Sequence, residues 1–564
     1  MAKVIGAKLV ANALVEKGIE KIFTLSGGHI TPIYQHLADT DIEMFDTRHE
    51  QSAVFMAEAY GRLTRKPGVA MVTAGPGFTN ALTPVANARQ ANSPLLLISG
   101  VVGVASYEKL DLQDMTQAPI IEPMVKKAIV CHSADRIPEF IDMAYRICIT
   151  GRPGPVYLEL PVDILNEEVE ENSAAVTNTA VEDFHPVDLA KARQLVGMLK
   201  EAKCPTIMAG NGTWYSHAEK ELVEFAEKAG VPIYTQGLGR GCISDDHPLC
   251  YESSTGTRPG SAMVAQAMSD LVIFLGNRLS LFYMFGALIN PQAKIVQVDI
   301  EPEELGRNRT LDLAIFSDIK ALLQEMTKIV EEEKLGDELK ANYAPWIEQL
   351  DAAQVMGKSI EQPNWDSENV PVHPLRLAKE VNEFMNREDD IVIADGGDTQ
   401  IWVGMTRTMK KPGTFLDSGL YGCLGVGIPY ANAAQVANPD SRVCLVIGDG
   451  AFGFNFMEIE TALRKKLPIV IVIANDQGWG MIRHSQELRM GEAIPNGTWI
   501  GDVRYEKAAD ALGVTGYYLE NADDLKATME KAFATGKPAV INVMTDTTTV
   551  SPGSIALANV GAYK

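Results

Sequence analysis

Apolar positions in this chain fall into two recurring patterns. Short unbroken runs such as Val443-Cys-Leu-Val-Ile447 and Pro468-Ile-Val-Ile-Val-Ile473 predict strands buried on both faces. Between these two runs, Phe456 to Lys466 carries apolar residues at helical spacing (Met457, Ile459, Leu463, with Leu467 just beyond), which predicts a strand–turn–helix–strand unit. The same alternation recurs along the chain. An N-terminal segment, 1–165, holds a helix near Gly6–Lys17 and strands at Lys21–Thr24, Val69–Thr73, Leu95–Ser99 and Val156–Leu160. A central segment, 188–345, holds strands at Pro205–Ala209, Val231–Tyr234, Leu271–Leu275 and Lys294–Val298. A C-terminal segment, 372–548, opens on the strand Ile391–Ile393 and is followed by a tail, 549–564. Strands alternating with helices predict an α/β fold of three doubly wound domains with parallel sheets. The acidic stretch Asn166–Ser173 and the Pro- and Asn-bearing stretch 346–371 read as linkers.

The first and third segments share a layout. Met71-Val-Thr-Ala-Gly-Pro-Gly-Phe78, a helix and Pro94-Leu-Leu-Leu-Ile-Ser99 match Val446-Ile-Gly-Asp-Gly-Ala-Phe452, a helix and Pro468–Ile473. This predicts a duplicated module in which only the third segment keeps an Asp in the turn, Pro76 standing in the first.

With 564 residues, 46% apolar and 22% charged, the chain has the make-up of a multidomain globular protein. A formal net charge of −23 argues against nucleic acid as a partner. No early basic-flanked apolar core and no eighteen-residue apolar run predict neither a signal peptide nor a membrane span. Seven scattered cysteines without a C-x-x-C pair fit a reducing cytoplasm.

Candidate chemistry sits at strand ends, where ligands bind in such folds. Gly448-Asp449-Gly450 ends one strand, and Asn475-Asp476 ends the next after twenty-four intervening residues. Two oxygen-bearing groups converging there suit magnesium, which takes one or two carboxylates plus substrate phosphates. A diphosphate would lie on glycine backbone at a helix N-terminus.

This spacing resembles the cofactor motif of the thiamin-diphosphate-dependent decarboxylase, carboligase and lyase family. The resemblance implies thiamin diphosphate and Mg2+ as cofactors, with Asp449, Asp476 and the carbonyl of Gly478 holding the metal. The family usually has Asn where Asp476 stands, so Asn475 is the fallback ligand. By position, Gly448, Gly450 and Ala451, with Gly396, Gly397 and Asp398 in Ala394-Asp-Gly-Gly-Asp-Thr-Gln400, would face the diphosphate. In Gly422-Cys-Leu-Gly-Val-Gly427, the Gly422 carbonyl would receive the pyrimidine amino group and Leu424 would wedge the cofactor bent. Glu50, in Asp46-Thr-Arg-His-Glu-Gln-Ser-Ala53, would be the acid that protonates the pyrimidine ring. That role needs a raised pKa, which burial supplies.

Within the family, Leu25-Ser-Gly-Gly-His-Ile-Thr-Pro-Ile33 is similar to the early turn of benzaldehyde lyases, which carry a His there and a later pocket Gln. By that likeness His29 and Gln113 would relay a proton to and from a substrate hydroxyl, with Gly28 and Gly75 beside the cofactor. The resemblance implies a lyase or carboligase acting on an aldehyde, a 2-hydroxy ketone or a 2-oxo acid. It also implies a cofactor held between the first domain of one chain and the third of another: a homodimer at least, with a homotetramer expected. Three stretches (Gly450-Ala-Phe-Gly-Phe454, Met457–Thr461, Val298–Leu305) also resemble 2-hydroxyacyl-CoA lyases and oxalyl-CoA decarboxylases. Those enzymes, acetolactate-type carboligases and 2-oxo-acid decarboxylases are therefore alternatives, as is a cofactor-binding sensor. A flavin or nucleotide in the central domain stays open. Trp479, Met481, Arg483 and His484 are expected to border the pocket. Arg483 would either meet a carboxylate or phosphate, or be a solvated helix residue; the tail would either cover the site or trail free.

Overall fold

The computed structural model describes residues 3–170, 187–253 and 260–559. Its frame is three parallel six-stranded sheets, each flanked by helices, with a two-stranded pair at the N-terminus. In the C-terminal sheet the strands run Phe415–Leu416, Ile391–Asp395, Val443–Gly448, Val470–Asn475, Ala539–Met544, Thr515–Leu519. Their side chains alternate between two apolar layers. Ile391, Ile393, Leu445, Ile447, Ile471 and Ile473 face one core, while Val392, Ala394, Val446, Val470 and Val472 face the other. Each fully buried Val, Leu or Ile contributes about 1.5–3 kcal/mol, so a one-residue slip is strongly disfavoured.

The N-terminal sheet runs Glu43–Asp46, Lys21–Thr24, Gly68–Val72, Leu95–Val101, Pro155–Pro161, Lys127–Val130. Numbered within each domain, both sheets have the order 2-1-3-4-6-5. The expected duplication thus appears as shared topology, and the two Gly-x-Gly turns follow equivalent strands. The central sheet has a different order, 3-2-1-4-5-6, with Pro205–Ala209 and Leu271–Leu275 flanking its switch point.

Both expected linkers are corrected in part. Glu168–Glu170 forms a strand antiparallel to Lys3–Ile5; the rest of the acidic stretch, from residue 171, lies outside the described residues. Residues 346–365 are the last two thirds of one helix, Gly336–Trp365, which contains Pro345 and Pro363. Leu339, Tyr343, Trp346 and Leu350 are buried along it at helical spacing, and that stripe outweighs the two missing N–H donors. The described part of the tail includes a helix, Pro552–Asn559, packed on the helices Gly480–Met490 and Gly397–Thr406. The first and third domains meet within one chain where Glu50–Thr64 packs along Gly427–Ala437. Among the described residues no helix is long and apolar enough to cross a membrane.

Candidate active site

The C-terminal cleft opens at a switch point, between Ile391–Asp395 and Val443–Gly448. Gly396, at φ 99°, crosses over the Gly448 turn, and a Cβ on it would sit 3.2 Å from the Gly448 nitrogen. Buried Asp395 fixes this corner by accepting from the Gly396 and Gly427 amides at 2.7 and 2.8 Å. Burial pushes its carboxyl up to about 6. Gly450 is required for a different reason: a Cβ there would lie 2.7 Å from the Trp479 indole. The turn thus offers bare backbone at the starts of Asp449–Phe452 and Gly397–Thr406, the environment an anion favours. Gly422, at φ 71°, has open space where its Cβ would be.

Asp449 is 1% exposed, and neither of its carboxylate oxygens has a hydrogen-bond donor. Burial, and then the Asp476 carboxylate beside it, push its pKa well above the usual carboxylate range. A buried carboxylate without a donor, with a second carboxylate beside it, is what a bound cation would relieve. Among the described residues no group of three or more His, Cys, Asp or Glu side chains is arranged for a metal. An ion held by Asp449 and Asp476 would therefore draw its other ligands from carbonyl, water or phosphate oxygen.

Several of the expected residues have other commitments. The Asn475 side chain is buried, donates to Asn542 Oδ1 (3.0 Å) and accepts from the Gln477 amide (3.1 Å), so the fallback ligand is turned into the fold. Arg483 is neither solvated nor free for substrate. It is 1% exposed, donates to Asp476 Oδ2 and to the Thr547 carbonyl (both 2.7 Å), and stacks over Trp499. The Asp398 carboxylate accepts from Ser551, Ser554 and His484. That leaves only its backbone for a diphosphate. His484 bridges Asp398 (3.0 Å) and the Thr547 carbonyl (3.1 Å), two acceptors that suit an imidazolium. Although burial opposes it, Asp398 raises the His484 pKa.

The second cluster lies at the equivalent switch point of the N-terminal sheet. Gly27 lets the early turn press onto Thr73; a Cβ there would be 2.3 Å from the Thr73 Cβ. Thr73 joins the two expected residues, its hydroxyl donating to Gln113 Oε1 (3.4 Å) and facing His29 Nδ1 (3.3 Å). Gly75, at φ 57°, backs onto Gln113, and its amide donates to buried Gln117 at 2.8 Å. Gly28 is exposed with free space around it. Glu50 starts its helix half-buried, its Oε2 accepting from Asn80 at 3.0 Å. Thr73 lies inside the run Met71–Phe78 and Asn80 two residues beyond it, but nothing in the sequence says that their side chains point at Gln113 and Glu50.

A cavity of about 960 Å3 is lined by Gly396, Gly397, Asp398, Gly422, Leu424 and Gly448–Ala451, with Asp476, Gly478, Trp479, Met481 and His484. It extends to the strand ends of the central sheet at Gly276–Arg278 and Asp299. Glu50, His29, Gln113, Gly28 and Gly75 do not line it.

Three family profiles match in order: the thiamine pyrophosphate enzyme N-terminal TPP binding domain at residues 5–120, the central domain at 192–326, and the C-terminal TPP binding domain at 395–543. An acetolactate synthase large subunit from Mycobacterium tuberculosis is 32% identical over 553 residues, 98% of this chain and 97% of that one. The chain belongs to the thiamine pyrophosphate enzymes. Other relatives in this family are an oxalyl-CoA decarboxylase from Escherichia coli and a 2-hydroxyacyl-CoA lyase from Arabidopsis thaliana. Both are 30% identical over 96% of this chain and 95% of their own. The chain is thus a thiamin-diphosphate-dependent enzyme of the group that contains these three activities, and its two TPP-binding domains are those that carry the two clusters.

Proposed function

We propose that this thiamin-dependent enzyme is a C–C bond lyase and carboligase acting on 2-hydroxy ketones and aldehydes, in the manner of a benzaldehyde lyase. The observation that carries this reading is the His29–Thr73–Gln113 bridge. An amide oxygen only accepts, so the Thr73 hydroxyl donates to Gln113 and its oxygen accepts from His29 Nδ1–H. That leaves Nε2 as the basic atom of His29. Burial lowers the imidazole pKa against the pull of Asp111 and Gln113, keeping the ring neutral near pH 7. Nε2 then takes the proton from a substrate hydroxyl and returns it, the roles of base and acid alternating.

Asp449, Asp476 and the Gly478 carbonyl would hold Mg2+, and the backbone of Gly396–Asp398 and Gly448–Ala451 would receive the diphosphate. The Gly422 carbonyl and Leu424 would seat the pyrimidine. Thiamin diphosphate, when bound, supplies the carbon nucleophile and accepts the charge released when the bond beside the carbonyl breaks. Glu50 would give and take the ring proton, its second oxygen steadied by Asn80. Because Glu50 lies outside the cavity that Asp449 lines, a second copy would complete each site, making a homodimer the smallest active form and a homotetramer the expected one.

A second reading, a 2-hydroxyacyl-CoA lyase or an acetolactate-type enzyme, is favoured by the extension of the cavity to the central sheet, which gives room for a long donor. Turnover of benzoin, acetoin, pyruvate and a 2-hydroxyacyl-CoA, followed by proton NMR of the products, separates the two. Aldehyde released from the 2-hydroxy ketones is expected; turnover of pyruvate or the thioester alone would overturn the first reading in favour of the second.

A further inference from the structure

Two basic side chains stand beside the corner formed by Asp449 and Asp476. Arg483 and His484 are neighbours in the first turn of Gly480–Met490, and both donate to the Thr547 carbonyl just beyond the strand Ala539–Met544. Arg483 is paired with Asp476 and His484 with Asp398. Of the three carboxylates here, Asp449 is therefore left with neither a cation nor a donor. The Arg483 contact is a built one: Nη2 reaches Asp476 Oδ2 at 2.7 Å, and Nη1 reaches the Asp476 carbonyl at 3.3 Å. The guanidinium lies over Trp499, its carbon 4.7 Å from the ring centroid. Gly478 makes room for it, since a Cβ there would stand 3.0 Å from Nη1.

We propose that Arg483 is a positioning residue for the metal site. It holds Asp476 by one carboxylate oxygen, cancels the charge by which an aspartate exceeds an amide at that position, and leaves the other oxygen to ligate the ion. The aspartate and the arginine then work as a unit, and the site keeps one uncompensated carboxylate, Asp449. This rests on the reading that Asp449 and Asp476 bind a divalent cation. A lone arginine so close to a divalent ion would repel it, and a lone second carboxylate would attract it more strongly, so removing either partner alone shifts affinity in opposite directions.

The test is Mn2+ binding to the full-length enzyme with saturating thiamin diphosphate, read from the electron paramagnetic resonance of free Mn2+. Asp476→Asn is expected to weaken Mn2+ by more than about tenfold, and Arg483→Met to tighten it while lowering the melting temperature of the metal-free protein. The double variant should return to within about threefold of the parent. Should Arg483→Met fail to fold, Arg483→Gln provides the same uncharged comparison. An Arg483 variant with unchanged or weakened affinity, or a double variant that binds Mn2+ as weakly as Asp476→Asn alone, would overturn the proposal. Asp449→Asn separates this from the underlying reading: undiminished Mn2+ binding in that variant would mean that the ion is not held here at all.

Discussion

Glu50 and His29, the two proposed proton carriers, rest against Asn80 and Thr73, which opens both to single-residue tests. Glu50→Gln keeps the Asn80 contact while removing the proton, so turnover should fall by about 10²–10⁴-fold with cofactor affinity kept. Steady-state kinetics beside a fluorescence titration of thiamin diphosphate checks both halves. For His29 the sign follows from its environment. Its pKa lies below the ordinary 6.5, so the neutral form holds above that value, and kcat/KM should decline as pH falls through the lowered pKa. Thr73→Val should move that limb and Thr73→Ser restore it; a profile identical in all three would remove Thr73 from the mechanism. The place of Asp449 in the cleft was legible because a residue between two glycines at a strand end falls where such sheets open. Arg483 and Asp398 were not, because their partners are set by how a helix and the C-terminal segment fold back over the cleft, which no local spacing records.

At the scale of elements, the C-terminal helix Pro552–Asn559 is fastened to the cofactor cleft through Ser551, Ser554 and the Asp398 carboxylate. Hydrogen bonds to a charged group are worth about 1.5–3 kcal/mol each. Asp398→Ala should therefore raise amide exchange in 551–559 by at least about tenfold while leaving Val443–Gly448 protected. Hydrogen exchange read by mass spectrometry decides it. Gly450→Ala drives a methyl into Trp479, costing about 1–3 kcal/mol and weakening thiamin diphosphate binding, as a melting curve with and without cofactor would report. Strands were the easiest elements to read, because burial on both faces leaves continuous apolar runs. The helix Gly336–Trp365 was not legible, since Pro363, Asn364 and Pro371 mark 346–371 as a linker although the buried stripe from Leu339 runs on to Leu350.

Over the whole molecule, the repeated 2-1-3-4-6-5 order puts equivalent switch points in the first and third domains: His29 and Thr73 cluster at one, Asp449 and Gly396 at the other. The alternation of strands and helices made the three-domain fold legible. It does not say which copy of the chain faces which, because that depends on surfaces rather than periodicity. The account holds that catalysis needs Glu50 and His29 from one copy beside Asp449 from another. Co-assembling the inactive variants Glu50→Gln and Asp449→Asn tests this directly. Random pairing makes half of the dimers mixed, each with one site free of both substitutions. Cleavage of a 2-hydroxy ketone should then return to about a quarter of the parent rate. A mixture as inactive as its two components, with one variant 15N-labelled so that native mass spectrometry verifies the mixed dimers, would contradict the account.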